Sequence, residues 1–448
     1  MRKKYDLVVI GSGVAGGTIA IKCRLAGLTV ALADTGPLGG TCALKGCNPK
    51  KVLVHASEVI ARFKDMEGKG IMGHVKIDWP ELMRFKRTFT ESIHISNEKY
   101  YRKIGVKLYM GEASFSDDKT IRIGDELIEG KYIVVSTGAR PRELNIPGEN
   151  LLCNSECFLE LNQLPEEVIF VGGGYIAFEF AHIAARAGAK VTILQRGNQT
   201  LNKFDPDIIH LLMKASEEIG IEVKMNQNVE RIEKLGKKLK VFTEKKEGGE
   251  YTADLIIHAA GRVPNLEGLN LEAGNISRDR RGILVDDFLR SQSNPSVYVS
   301  GDANTYGIPL TPVADMEARL ITAQIVKKQM EKVSYDAVPS VLFTVPSVAS
   351  IGLHEEEALK RGIDFEKYFN DTSNWIASRR LGVKYSASKI LIDKSNHQIL
   401  GAHLMGHHAE EVINLFSLAM RYQLTVEQIH DTVFGYPTFS YDIHSLLP

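Results

Sequence analysis

The chain has 448 residues, 44% of them hydrophobic and 25% charged, with 55 basic and 55 acidic side chains. That length exceeds one ordinary core, so roughly two to four globular domains are expected, while the balanced charge excludes a broad electrostatic footprint for nucleic acid or an anionic membrane. No apolar run approaches the ~20 residues of a membrane span, and the apolar run after Met1-Arg-Lys-Lys-Tyr-Asp is too short for a secretory signal, so a cytoplasmic location is expected.

Lys4 to Ile10 reads as a buried parallel strand. Gly11-Ser-Gly13-Val-Ala-Gly16 follows, then a helix over Thr18–Ala26 and a second strand from Thr29 that ends at Asp34. Strand, GxGxxG turn, helix, strand and acid in this order form the context of a dinucleotide site. The glycines allow a tight turn and close approach to a pyrophosphate, the helix N-terminus faces it, and Asp34 stands where a carboxylate accepts from ribose hydroxyls.

Next comes GGTCALKGCNPKK, from Gly39 through Gly40, Thr41, Cys42, Cys47 and Lys50 to Lys51. Its two cysteines could be a structural clamp, half of a metal site, or a couple that opens and closes during chemistry. Five cysteines in all are too few, and odd in number, for a disulfide scaffold. A zinc or iron–sulfur site needs about four ligands. Cys23 falls within the first helix as a buried thiol, which leaves Cys153 and Cys157 as the only thiols able to complete such a set; no metal site is expected. Lys50, Lys51 and a helix start after Cys47 would depress a thiol pKa and stabilise a thiolate, which supports the redox alternative.

The nucleotide pattern then recurs. Glu167–Val171 is a strand, Gly172-Gly-Gly174-Tyr175-Ile-Ala177 a second fingerprint, Phe178–Ala187 its helix, and Lys190–Leu194 the following strand. That strand ends in Gln195-Arg196, with no carboxylate to repel a 2′-phosphate and an arginine able to pair with it. Lys203 lies close in sequence, so NADP(H) is expected over NAD(H). Each half later closes on a similar phrase, one containing Thr137-Gly138-Ala-Arg-Pro and the other Gly261-Arg262-Val-Pro-Asn265. The first unit resumes near Asn265 and includes Val297-Tyr-Val-Ser-Gly-Asp302. From about Pro339 the texture changes to mixed strands and helices. The expected fold class is therefore α/β, with two Rossmann-like units, one inserted in the other, and a C-terminal α+β domain.

GGTCALKGCNPKK closely resembles the redox-active segment of glutathione reductase-like flavoenzymes, the class I pyridine nucleotide-disulfide oxidoreductases, and the resemblance extends along essentially the whole chain. It implies an FAD-binding domain over 1–147 and 266–335, an NAD(P)H-binding domain over 148–265 and a dimerisation domain over 336–448. It also implies a homodimer, and a small-molecule acceptor rather than a nucleic acid or membrane. By the same resemblance Gly11, Gly13, Gly16 and Asp34 hold the FAD adenosine half and Asp302 its ribityl chain. Thr311-Pro312-Val313-Ala314 begins a helix aimed at the flavin pyrimidine. Lys50 or Lys51 pairs with Glu179, Tyr175 gates the nicotinamide pocket, Cys47 faces the flavin, and Cys42 is the exposed thiol that attacks substrate.

One motif departs from the family. Its disulfide reductases end in His-Pro-Thr-x-x-Glu, whereas this chain has Tyr436-Pro-Thr-Phe-Ser-Tyr441-Asp442. A phenol of pKa ~10 is badly matched to proton shuttling near neutrality. Mercuric reductases carry a tyrosine near this place, but usually also a cysteine pair in the tail, where this sequence has Ser445-Leu-Leu-Pro448. Three functions follow: an NADPH-dependent FAD reductase using Cys42 and Cys47 on a disulfide or other thiol-reactive oxidant, a metal-ion reductase of mercuric type, and a flavin-loaded binding subunit without dithiol turnover.

Overall fold

The computed structural model describes residues 2–244 and 249–448. By internal contacts the chain divides into two compact units. One is Met1–Lys50, Arg84–Arg142 and Gly261–Tyr335; the other is Lys51–Met83, Glu143–Ala260 and Asp336–Pro448. Residues 51–83 thus group with the second fingerprint and the C-terminal region, and the Gly261 phrase groups with the first unit.

The first unit is built on a seven-stranded sheet. Its centre is the strand Lys3–Ile10, flanked in parallel by Val30–Asp34 on one side and Glu126–Val135 on the other. Leu7–Ile10, Val30–Ala33 and Ile133–Val135 are all buried, as parallel strands covered on both faces must be, and this accounts for their uninterrupted apolar sequence. Val297–Val299 adds to Glu126–Val135 in parallel, bringing the Gly301–Ala303 turn to the same end of the sheet as the Gly11 turn. The two glycine-ended phrases meet each other: Ala139–Pro141 and Arg262–Pro264 pair antiparallel, with Arg262 opposite Pro141.

The second unit repeats the plan with four parallel strands in the order Ile221–Lys224, Lys190–Leu194, Glu167–Val171 and Leu255–His258. It also contains a three-stranded meander over 229–253 and a five-stranded antiparallel sheet over 340–406. The helix Ala409–Arg421 lays Val412, Ile413, Phe416 and Ala419 on that last sheet, a spacing of three to four residues that puts them on one helix face. The α/β class with two Rossmann-like units and a C-terminal α+β region is as the sequence implied.

Both fingerprint helices begin earlier than expected, at Val14 rather than Thr18 and at Tyr175 rather than Phe178. The reason is local. Gly13 and Gly174 sit at the N-caps in extended conformation, so the turn feeds directly into helix with no intervening loop.

Candidate functional site

At the first turn Gly11 has φ +101°, and its amide bonds back to the Ala33 carbonyl at 2.8 Å. The Ser12 N–H donates to Asp34 Oδ2 at 2.6 Å and Gly36 N–H to Asp34 Oδ1 at 2.8 Å, so the acid at the strand end ties down the turn as well as facing outward. A Cβ on Gly16 would overlap the Gly11 carbonyl, and one on Gly40 (φ +68°) would lie 2.5 Å from the Gly13 Cα. The cysteine segment therefore packs backbone to backbone on the pyrophosphate turn, which side chains at either glycine would prevent. This closely fitted, uncapped helix N-terminus suits the phosphates of FAD. Gly138 (φ +69°) has open space on its Cβ side, whereas the Thr137 hydroxyl is buried with no partner among the described residues.

The two cysteines lie at helix starts. Cys42 belongs to the short helix Gly40–Lys45, and Cys47 is the first residue of Cys47–Met66, with the Lys50 amide bonding to the Gly46 carbonyl. A sulfur at a helix N-terminus, with the buried Lys50 in the same turn, is in a setting that favours thiolate. Thr311, itself the first residue of the helix Thr311–Lys327, places its hydroxyl between the sulfurs. It donates to Cys42 Sγ at 3.1 Å and lies 3.7 Å from Cys47 Sγ. The three helix starts thus gather at one point. Of the two cysteines, Cys47 is exposed and Cys42 half-buried, the reverse of the exposure that the resemblance implied for Cys42.

Asp302 stands beside this cluster. Burial raises its carboxyl pKa, and charge on Cys47 raises it further, against the pull of Arg262. The turn that carries it is held by a residue that the sequence did not single out, Glu317. This buried carboxylate accepts from Gly301 N–H at 2.6 Å, Tyr335 Oη at 2.6 Å and Asn304 Nδ2 at 3.1 Å. Burial pushes its pKa upward and these donors oppose the shift. Thr311 was expected only as a helix start. Its contact with both sulfurs spans more than 260 positions of chain, and no local pattern encodes it.

In the second unit Tyr175 opens the fingerprint helix and is 48% exposed. Glu179, buried one turn on, accepts from the Phe343 N–H at 2.8 Å, and the Lys51 ammonium lies 3.2 Å from the centre of the Phe343 ring. Ala177 occupies the third fingerprint position. At the strand end Gln195 Oε1 accepts from the Gly173 N–H at 3.0 Å, the same bond that Asp34 makes to Ser12. Thr200 Oγ1 donates to the Gly173 carbonyl. Arg196 and Lys203 are both exposed.

In the tail, the Tyr436 and Tyr441 rings meet edge to face at 4.9 Å, Tyr441 contacts His444 at 5.5 Å, and His444 Nε2 donates to the Thr432 carbonyl at 2.9 Å. His444 thus lies against Tyr441, three residues before it.

Cys153 and Cys157, the two thiols that the sequence offered for a shared metal set with Cys42 and Cys47, are joined to each other in a disulfide, Cα–Cα 5.5 Å. Among the described residues, Asp205, His354 and His403 bring ligand atoms within 4.8 Å of one another. A cation already stands there, because the buried Lys389 ammonium lies 3.1 Å from Asp205 Oδ2 and 2.8 Å from Glu355.

Residues 5–318 match the pyridine nucleotide-disulphide oxidoreductase family and residues 338–446 its dimerisation domain. The chain belongs to this family. Mercuric reductase of Lysinibacillus sphaericus is 32% identical over 97% of this chain and 81% of its own. Glutathione reductase of Burkholderia cepacia is 30% identical over 99% and 98%. Among solved structures, the Cu(II) complex of the HOCl-induced flavoprotein disulfide reductase RclA from Escherichia coli superposes with a TM-score of 0.90 at 26% identity, covering 100% of this chain and 99% of that one. This member of the pyridine nucleotide-disulphide oxidoreductases is thus a flavoprotein oxidoreductase whose cofactors are FAD and NAD(P)H. Its cysteine pair fits a redox-active disulfide. Among the described residues, no helix is long and apolar enough to cross a membrane.

Proposed function

We propose that the chain oxidises NADPH, in preference to NADH, and passes the electron pair by way of FAD to the Cys42–Cys47 disulfide, which then reduces a small disulfide or another thiol-reactive oxidant. The observation that carries this reading is the Thr311 hydroxyl between the two sulfurs, at a point where three helices start. Bound FAD supplies a two-electron relay between nicotinamide and disulfide. The chain supplies the rest. Gly11, Gly13, Gly16 and Asp34 hold the adenosine half, with Gly40, Thr41, Thr137 and Gly138 beside them. Asp302 and the Thr311–Ala314 helix start hold the ribityl and pyrimidine end. The helix dipole there favours negative charge as electrons arrive. Cys47 would be the flavin-side sulfur. Cys42 is the attacking sulfur, and the Thr311 hydroxyl steadies its thiolate. In balance, NADPH, one proton and the protein disulfide give NADP⁺ and two thiols.

At the second turn Gly172, Gly174 and Ala177 cradle the pyrophosphate, and Gly261 and Arg262 are assigned as further cofactor-binding residues. The neutral Gln195 where an acid would stand, with the exposed Arg196 and Lys203, supports a 2′-phosphate. Tyr175 gates the nicotinamide, and a Lys50 or Lys51 pair with Glu179 polarises the flavin. The FAD-binding domain is assigned to 1–147 and 266–335, the NAD(P)H-binding domain to 148–265, and the interface domain to 336–448. A homodimer in the cytoplasm is proposed on the matched dimerisation domain, with Tyr436 in place of the family's histidine base.

That tyrosine favours a second reading, reduction of a thiol-bound metal ion, since mercuric reductase is among the relatives and the RclA structure holds Cu(II). An anaerobic NADPH titration followed by absorbance, with thiols counted at each step, tests the core proposal. Two extra thiols per chain should appear, and Cys42→Ser or Cys47→Ser should abolish them. Flavin reduction without new thiols would leave only the non-catalytic alternative. A screen of disulfides, quinones, peroxides, Hg(II) and Cu(II) then separates the acceptors.

A further inference from the structure

We propose that Cys153–Cys157 is a second thiol–disulfide exchange site, on the nucleotide unit and separate from the Cys42–Cys47 couple, which takes low-molecular-weight thiols at its exposed sulfur. Two arguments point away from a structural clamp. The bridge closes a loop with a sequence separation of only four. Constraint of the unfolded chain grows with loop length, so a loop this small gains little from being closed. The bridge is also reachable: Cys157 is exposed, whereas Cys153 is 6% exposed. Accessible disulfides are the ones that exchange.

The local fold gives the pair a direction. Cys153 is fixed to the edge of the parallel sheet: its N–H bonds to the Ile256 carbonyl at 2.9 Å, and its carbonyl accepts from the His258 N–H at 2.7 Å. Cys157 rides instead on the four-residue helix Ser155–Phe158, anchored through its own N–H to Asn154 Oδ1 at 2.9 Å. One sulfur is therefore held on the sheet edge while the other faces water. A thiolate arriving from solvent attacks Cys157 Sγ, the Cys153–Cys157 bond breaks, and Cys153 leaves as thiolate. A second thiolate attacks the outer sulfur of the mixed disulfide and releases Cys157. The sum is protein disulfide plus two RSH giving two protein thiols plus RSSR.

The test uses the full chain, with and without Cys42→Ser and Cys47→Ser so that the first couple cannot relay electrons. Native protein is equilibrated anaerobically with glutathione and glutathione disulfide in varied ratio, quenched in acid and alkylated. The tryptic peptide Glu143–Arg186 contains both cysteines and no others, so its mass reads the pair alone. The expected result is a smooth passage from unalkylated to doubly alkylated peptide as the ratio rises, the same in both backgrounds. In Cys153→Ser the remaining Cys157 should capture glutathione; in Cys157→Ser the buried Cys153 should capture at least tenfold less. A bridge that resists millimolar glutathione until denaturant is added would overturn the proposal. So would a pair found always as thiols, or equal capture by the two single variants.

Discussion

At the first nucleotide turn the amide of Ser12 is held by a carboxylate, Asp34, and at the second the amide of Gly173 is held by a carboxamide, Gln195. The backbone requirement is the same, an acceptor at the end of the following strand, and either side chain meets it. What differs is the charge left facing the ligand. Asp34 is a carboxylate, proposed above to meet ribose hydroxyls, whereas Gln195 carries no charge and leaves the exposed Arg196 as the nearest ionic group in sequence. The third fingerprint position differs as well. A Cβ on Gly16 would overlap the Gly11 carbonyl and lie against Ser136 Oγ, whereas Ala177 carries a Cβ without loss of burial. The first turn is therefore wound more tightly, with Ser136 donating to the Ile10 carbonyl at 3.0 Å and the Gly11 carbonyl at 3.1 Å beneath it.

The difference can be broken most severely at that third position. Gly16→Ala should weaken FAD retention roughly tenfold to hundredfold, because overpacking a close backbone contact costs about 1–3 kcal/mol. Flavin absorbance remaining after gel filtration measures it. Ala177→Gly should leave flavin content intact and cost at most about 1 kcal/mol through helix propensity. Equal flavin loss in the two variants would mean that the turns are not built differently.

Gln195→Glu should come next in size. It keeps the bond to Gly173 and restores the charge, so KM for NADPH should rise roughly tenfold, about 1.4 kcal/mol, while KM for NADH stays or falls. Arg196→Ala should raise KM for NADPH by about twofold to fivefold, the range of an exposed ionic contact, with no change for NADH. If neither variant separates the two coenzymes, the preference for NADPH is wrong and the second turn tolerates either.

Much of this contrast was legible in the chain. The strands Glu167–Val171 and Lys190–Leu194 fall where the apolar runs put them, and the GxGxxG context located both turns. Gln195 was read only as a missing acid, although the same strand-end position that identified Asp34 could have identified its amide acceptor. Thr311 was legible as a helix start and not as a sulfur ligand, because that contact joins segments far apart in sequence. The Cys153–Cys157 bridge was not foreseen, because the pair was weighed only as two further ligands for a metal set with Cys42 and Cys47.

The smallest expected effect concerns a buried titratable group on the helix behind each turn, Cys23 on the first and His182 on the second. In the first, burial pushes the Cys23 thiol up to about 11 from an ordinary value near 9.0. In the second, burial holds the His182 imidazole well below its ordinary 6.5, with Val345 N–H and Arg186 Nη1 both directed at Nδ1. The signs are opposite. A raised thiol leaves stability intact below about pH 9 and removes it as pH climbs towards 11, since the unfolded chain sheds that proton first. A depressed imidazole leaves stability intact above about pH 6.5 and removes it as pH falls, since the unfolded chain takes up the proton first. At pH 10 the Cys23 contribution lost is about 1 kcal/mol, a shift of roughly 1–2 °C in Tm for a chain of this size. Cys23→Ala should flatten the alkaline limb of a Tm-against-pH curve by that amount and leave the acid limb unchanged. His182→Gln should do the reverse. An alkaline limb of unchanged slope in Cys23→Ala would mean that the thiol is not protected by its helix, and the two nucleotide units would then not differ in how they meet acid and base.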